Sequence, residues 1–189
     1  MKYLSITVLA FVLNACEAGK NPLVTIRTEF GDIEVEIFIR EAPVTGANFL
    51  QHVETGVFNT GACFYRVVRM DNQPDNDVKI EVIQGGLYDG RDDFPPIAHE
   101  TTEMTGIKHA DGTLSMARSE PGTASTEFFI CIGDQPELDF GGKRNPDRQG
   151  FSAFGKVTKG MDIVRKIQLQ QDSLQYLIQP VAIQSIDKK

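Results

Sequence analysis

The sequence predicts a mainly β domain, an all-β sandwich or closed barrel with two helices as covers. Three observations predict it. Eight short segments are rich in β-branched and aromatic residues and are bounded by turn-forming residues. Helical spacing of apolar residues occurs in only two stretches, and neither an internal repeat nor an interdomain linker interrupts the chain. A length of 189 residues with 41% hydrophobic residues suits one domain with a substantial core.

Residues 23–30 and 33–39 read as two strands joined by Gly31-Asp32, a tight turn. In the second, Ile33, Val35, Ile37 and Ile39 alternate with Glu34, Glu36 and Phe38, which predicts a sheet with one wet face. Ala42-Pro43 opens a helix with proline in its first turn, and Gly56 closes it. Gly46, Phe49, Leu50, Val53 and Val57 fall on one face of that helix, and His52 is expected on its wet face. Residues 64–68 form the next strand, followed by a polar loop over 69–77 and a strand over 78–84 that ends at Gly85-Gly86. Residues 87–111 read as irregular, with Pro95-Pro96 inside them. Strands are then predicted over 113–117, 128–132 and 152–158, a second polar loop over 134–149, a helix over 161–169 opened by Gly160, and a last strand over 181–186.

The N-terminus has a different character. Met1-Lys2 precedes an uncharged, mostly apolar run over residues 3–13, and then Asn14-Ala15-Cys16, the layout of a secretory signal. The run is shorter than the roughly 20 residues a membrane-spanning helix needs. Leu13-Asn14-Ala15-Cys16 also resembles a bacterial lipobox, which implies removal of residues 1–15 and lipidation of Cys16 as the first mature residue; an ordinary signal peptide is the alternative. Residues 16–22 would then be a tether and 23–187 the folded domain. The expected location is the cell envelope, in the periplasm, with membrane contact only through that anchor.

The net charge of −7 and the lack of a basic stripe argue against a nucleic-acid partner, because neutralising phosphates needs clustered Lys and Arg. The usual hydrolase, phosphate-loop and zinc-protease signatures are missing, and Gly141-Gly142-Lys143 reads as a turn. The acidic segment 71–77 does not fit a calcium loop, since Val82 stands where a bidentate Glu is required. His52, His99 and His109 are scattered. Cys63 and Cys131 sit in apolar strand text, where free thiols are the default and a disulfide stays open.

Five ordered blocks carry the chemistry: Phe64-Tyr65-Arg66-Val67-Val68, Ile83-Gln84-Gly85-Gly86, residues 112–118, Glu127-Phe128-Phe129-Ile130 and Phe154-Gly155-Lys156-Val157. Together with Ala42-Pro43-Val44-Thr45 and Lys159-Gly160-Met161-Asp162 they resemble the cyclophilin family over nearly all of residues 23–186. That resemblance implies a closed eight-stranded antiparallel barrel capped by two helices, peptidyl-prolyl isomerase activity, and proline-containing polypeptides as partners. It also implies catalytic roles for Arg66, Gln84 and Phe129. Substrate contacts fall to Val82, Met116, Ala117, Arg118, Glu127, Leu138 and Phe151, with Phe128 pointing the other way along its strand.

The chemistry suits these residue types. Rotating an X-Pro bond means breaking amide resonance, a barrier of roughly 18–20 kcal/mol, and no bond is made or cut. No metal or other cofactor is therefore expected. In the twisted transition state the prolyl nitrogen regains its lone pair, and a fixed cation that donates to it stabilises that state above either ground state. Departures lie at the rim, where Glu137 replaces a frequent family Trp, Phe151 a His, Arg118 an Asn and Glu127 a Gln. The leading expectation is a monomeric enzyme that speeds folding of exported proteins. The competing ones are a non-catalytic proline-peptide binding module or chaperone, and a structural envelope lipoprotein.

Overall fold

The computed structural model describes residues 20–88 and 94–189, so the expected signal segment and Cys16 lie outside the described residues. The described residues form nine strands: β1 (Leu23–Thr28), β2 (Gly31–Ile37), β3 (Cys63–Val68), β4 (Val82–Gly86), β5 (Thr113–Met116), β6 (Phe128–Cys131), β7 (Ser152–Lys159), β8 (Asp172–Ser173) and β9 (Tyr176–Lys188). Neighbours run β1-β2-β7-β5-β6-β4-β3-β9, and β9 returns to pair with β1, which closes an eight-stranded antiparallel barrel. The short β8 pairs only with β9, outside the ring. The barrel resolves the choice between sandwich and barrel that residue patterning leaves open.

Period-two patterning explains the closure. Ile33, Val35 and Ile37 of β2 are fully buried while Glu34 and Glu36 face outward, so each strand gives alternate residues to one interior. That interior is dominated by phenylalanines. Phe49 lies 5.1 to 5.5 Å from the rings of Phe58, Phe128 and Phe154, in tilted and edge-on contacts. Phe49 comes from helix α1 (Pro43–Glu54), which lies over β7 and β9. Helix α3 (Met161–Gln168) lies over β2, β3 and β4 and buries Val164 and Ile167. Between them in sequence, Thr102–Thr105 makes a single helical turn, α2. Four residues are too few to show a 3.6 period, so α2 leaves no signal in the irregular stretch.

The start of α1 is tied to a distant part of the chain. Ala42 provides no side-chain cap, and the free N–H groups of Val44 and Thr45 instead donate to the Glu100 carboxylate, at 3.1 and 2.7 Å. The Thr45 hydroxyl donates to the same carboxylate at 2.6 Å. At α3 the cap is Gly160, at φ 92°, where an added Cβ would stand 2.5 Å from the Asp32 carbonyl oxygen; only glycine fits there.

Three expectations are corrected. His52 is buried rather than wet, because the segment after residue 93 folds over α1 and sets Phe94 edge-on to the imidazole at 4.8 Å. The fourth strand begins at Val82, not at 78. The Gln73 side-chain amide occupies the main chain of Ile80, donating to its oxygen at 2.8 Å and accepting from its N–H at 3.3 Å. The last strand runs from Tyr176, through Pro180, rather than from 181. Its ladder with β3 shifts register between Phe64 and Arg66, and that irregularity accommodates a residue without an N–H.

Candidate active site

Strand register assembles the site. Directly opposed residues form one row across the sheet: Tyr176 on β9, Arg66 on β3, Gln84 on β4, Phe129 on β6 and Ser115 on β5. Side chains directly across from one another share a face. Phe128, one residue earlier, points into the barrel core, so neighbouring phenylalanines serve opposite sides of the wall. On the outside, Phe129 joins Val68, Ile80, Val82, Cys131 and Leu138, with Ala117 and Phe151 against them. This apolar floor opens to a cleft of about 250 Å³ edged by Arg66, Gln84, Arg118, Arg144 and Asn145.

The Arg66 guanidinium is held from two sides by neutral acceptors. Its Nη1 donates to Gln84 Oε1 at 2.9 Å, while Nε and Nη2 both donate to Gln175 Oε1, at 3.1 and 2.6 Å. Gln84 is anchored in turn, donating to the Tyr65 hydroxyl at 2.6 Å. Burial, reinforced by the charge of Glu127, pushes the Tyr65 phenol far above its ordinary value, so it stays neutral. Gln175 lies in the two-residue turn of the β8–β9 hairpin, where Leu174 and Gln175 both have positive φ. Asp172 secures that hairpin by pairing with Arg69 and accepting from Asn72 and from the Gln175 N–H.

The Arg118 side chain is engaged within the protein, and the substrate contact expected of Ala117 and Arg118 is through their main chain. Its guanidinium pairs with Asp147 at 2.8 and 3.0 Å, donates to the Gly150 carbonyl and lies 5.1 Å from the Phe151 ring centre. The side chain therefore clamps the 147–151 segment, which sets Phe151 edge-on to Phe129 at 5.3 Å. Glu127 lines an adjoining pocket of about 230 Å³ together with Gln84, Ala117, Arg118 and Ser125. Its carboxylate accepts from the Leu87 and Tyr88 N–H groups, at 2.9 and 3.3 Å. Met116 does not reach the cleft. It stands opposite Phe128 and points into the barrel, 1% exposed, because strand parity turns it away from Phe129.

Behind Phe129 lies a buried polar chain. Asp139 Oδ1 stands 2.8 Å from His109 Nδ1, and His109 Nε2 stands 3.0 Å from Ser115 Oγ. Burial lowers the His109 pKa, against an opposing pull from Asp139, so the neutral ring donates to Asp139 and accepts from Ser115. The connectivity is that of a hydrolytic triad. The Ser115 residue, however, is 0% exposed, and the His109 ring stacks on Phe129 with 6.0 Å between centres. This chain supports Phe129 and offers no nucleophile to solvent. Among the described residues no group of three His, Cys, Asp or Glu is placed to hold a metal ion.

Of the ten site residues named from the sequence, Arg66, Gln84, Phe129, Val82, Ala117, Arg118, Leu138 and Phe151 line one cleft, Glu127 lies in the adjoining pocket, and Met116 is in the core. Sequence reasoning misses Gln175, Arg144, Asn145 and Ile80. Arg144 Nη1 donates to Gln73 Oε1 at 3.0 Å and to the Val78 carbonyl at 2.6 Å, stitching the two long polar loops together at the cleft edge. The two thiols among the described residues are free, Cys131 in the outer apolar cluster and Cys63 half-buried on β3.

A barrel of this topology with an apolar cleft on its outer wall defines a class, and comparison with known proteins identifies it. The family model for cyclophilin type peptidyl-prolyl cis-trans isomerases matches residues 23–188. A peptidyl-prolyl cis-trans isomerase of Acinetobacter baylyi is 34% identical over 165 residues, covering 85% of this chain and 79% of its own. Peptidyl-prolyl cis-trans isomerase B of Escherichia coli is 34% identical over 150 residues, with 77% and 83% covered. The crystal structure of a Cryptosporidium parvum cyclophilin type isomerase superposes with a TM-score of 0.71 at 21% identity, covering 90% of this chain and 98% of that one. The chain belongs to the cyclophilin family and is a peptidyl-prolyl cis-trans isomerase.

Proposed function

We propose that this isomerase turns X-Pro bonds by donating a hydrogen bond from Arg66 to the prolyl nitrogen while the ring rests on Phe129, Leu138 and Val82. One observation carries the reading: Arg66, Gln84 and Phe129 stand in a single cross-strand row above the apolar floor. The two glutamine acceptors orient the guanidinium without neutralising it. Planar amide nitrogen is a poor acceptor and the twisted one a good one, so a donor fixed beforehand favours the transition state selectively. The dry floor strengthens that interaction by lowering the local dielectric. Gln84 holds the substrate main chain during the rotation, and the 117–118 main chain pairs with the peptide beside it. The crystal structure of a Cryptosporidium parvum cyclophilin type isomerase was determined in the presence of the dipeptide Ala-Pro, which supports proline-containing peptides as ligands.

The test is catalysed exchange in a proline peptide, followed by line shapes or magnetisation transfer. Removing one preorganised donor of this kind lowers turnover by about 10²–10³-fold. Arg66→Ala should lose that much while its unfolding midpoint stays close to wild type. An Arg66→Ala protein with undiminished exchange would remove Arg66 from the mechanism.

The same proposal extends to cellular role. The leader-like residues 1–15 and Cys16 support export to the envelope, lipid attachment at Cys16, and action of a monomer on exported polypeptides during folding. Intact mass of the membrane-extracted protein tests the anchor. A mass equal to residues 16–189 plus lipid supports it, and an unmodified or uncut chain refutes it.

A further inference from the structure

The cleft carries more positive charge than the isomerisation requires. Arg66 and Arg144 both edge it, and the hydrogen-bond partners of both side chains are amides and main-chain carbonyls. Arg118, the third arginine at the rim, is already matched by Asp147 in a two-bond pair. Among the described residues, two guanidiniums without a carboxylate hydrogen-bond partner thus edge one small apolar basin in a protein whose net charge is −7. Each raises the electrostatic cost of the other: burial, and then the charge of Arg66, lower the Arg144 pKa. A half-buried arginine could have been matched by an acidic neighbour. Here its guanidinium is directed into the cleft by Gln73 and Val78 instead, which leaves donors for a ligand.

Arg144 also has a definite place relative to the proline seat. It edges the main cleft and is not part of the adjoining pocket formed by Gln84, Ala117, Arg118 and Glu127. A peptide laid across both would therefore meet Glu127 in the adjoining pocket and Arg144 in the cleft that holds its proline.

Resting on the isomerase reading above, we propose that Arg144 selects substrates with a carboxylate next to the proline. The carboxylate is an Asp or Glu side chain immediately adjoining it, or the α-carboxylate of a chain that ends there. An anion in that position relieves the repulsion between Arg66 and Arg144 and gains a charge-assisted hydrogen bond at the cleft edge. The loops that present Arg144 are thus a specificity device, with Gln73 fixing its orientation.

The experiment uses blocked peptides in pairs, Glu against Gln, placed immediately before or immediately after proline in an otherwise uncharged host. A third pair ends at proline with a free or an amidated terminus. Both affinity, by titration calorimetry, and catalysed exchange are measured. At low salt one Glu peptide should exceed its Gln partner by about fivefold, the upper end for a partly exposed ion pair. That ratio should shrink towards one as ionic strength rises past the range where the screening length falls below about 8 Å. Arg144→Gln should abolish the ratio and Arg144→Lys should keep most of it, which separates charge selection from loosening of the loops. A gain confined to the free terminus supports the anion seat and assigns it to chain ends. Equal Glu and Gln peptides at every position, or a ratio that survives in Arg144→Gln, overturns the proposal. Loss of exchange with all peptides would instead refute the isomerase mechanism, and the affinity ratio would still decide the role of Arg144.

Discussion

Gln175 offers the most direct probe of how Arg66 is held. Its Oε1 accepts from both Nε and Nη2, so Gln175→Ala removes the two bonds that define the plane of the guanidinium and leaves only Gln84 on Nη1. Hydrogen bonds to charged groups contribute about 1.5–3 kcal/mol when buried, but both side chains here are half-buried and water replaces much of the loss. What disappears is orientation, so the expected cost is about 1–2 kcal/mol, a five- to thirtyfold fall in kcat/KM. That is smaller than the loss for Arg66→Ala, because the donor is still present. Gln175→Glu sharpens the test. It retains the acceptor and adds a negative charge, but loses the Nε2 donor to the Asn72 carbonyl, so the ion-pair gain of about 0.2–1 kcal/mol is offset and stability should change little while the rate falls, because Arg66 is now neutralised. A purely structural effect would lower the rate only as far as it lowers the urea midpoint, so a fall in rate at an unchanged midpoint assigns the loss to the charge on Arg66. Exchange measured across peptide concentrations, with urea unfolding alongside, provides both readouts. Unchanged kcat/KM in Gln175→Ala would refute the reasoning.

Glu100→Ala strips three hydrogen bonds from the start of α1 and should cost about 2–3 kcal/mol, seen as a lower urea midpoint. Met116→Ala should cost about 2–5 kcal/mol of stability and leave kcat/KM intact at temperatures where it is folded; a lost rate there would return Met116 to the substrate site. Burial holds both His52 and His109 below the ordinary histidine value of 6.5. Below about pH 6.5 the unfolded chain binds protons at these positions that the folded chain refuses, so stability should fall as pH drops from about 7 to 5. Urea midpoints across that range check the sign, and a midpoint that rises on acidification would contradict it.

The sequence displays the barrel wall well and the devices around it poorly. Alternation in β2, the Ala42-Pro43 helix start and the paired Phe128-Phe129 are local signals, each read within a few residues. Arg66, Gln84 and Phe129 become a site through register, which no local pattern encodes; in the sequence only the family resemblance links them. Gln175 is invisible for a specific reason. Its turn is built from Leu174 and Gln175, whereas a two-residue hairpin normally announces itself with Asn or Gly. Ile80 reads as strand because Val78, Ile80 and Val82 alternate with Lys79 and Glu81, and the competing hydrogen bonds come from a side chain seven residues away. His52 reads as wet because nothing in α1 itself reveals that Phe94 will cover it. Arg144 sits in polar loop text, and its significance depends on a contact with residues 73 and 78.

Closure of the wall by the β1–β9 pairing has a meaning beyond architecture. An isomerase works on chains that are extended, incompletely folded and rich in unsatisfied main-chain groups. An open sheet would meet such chains with a row of free N–H and C=O groups and could be recruited into their misassembly. Here each of the eight wall strands has a partner on both sides, and the exposed rim is left to β8, only two residues long. In the proposed folding role, such a wall would leave clients only the two residues of β8 to extend among the described residues.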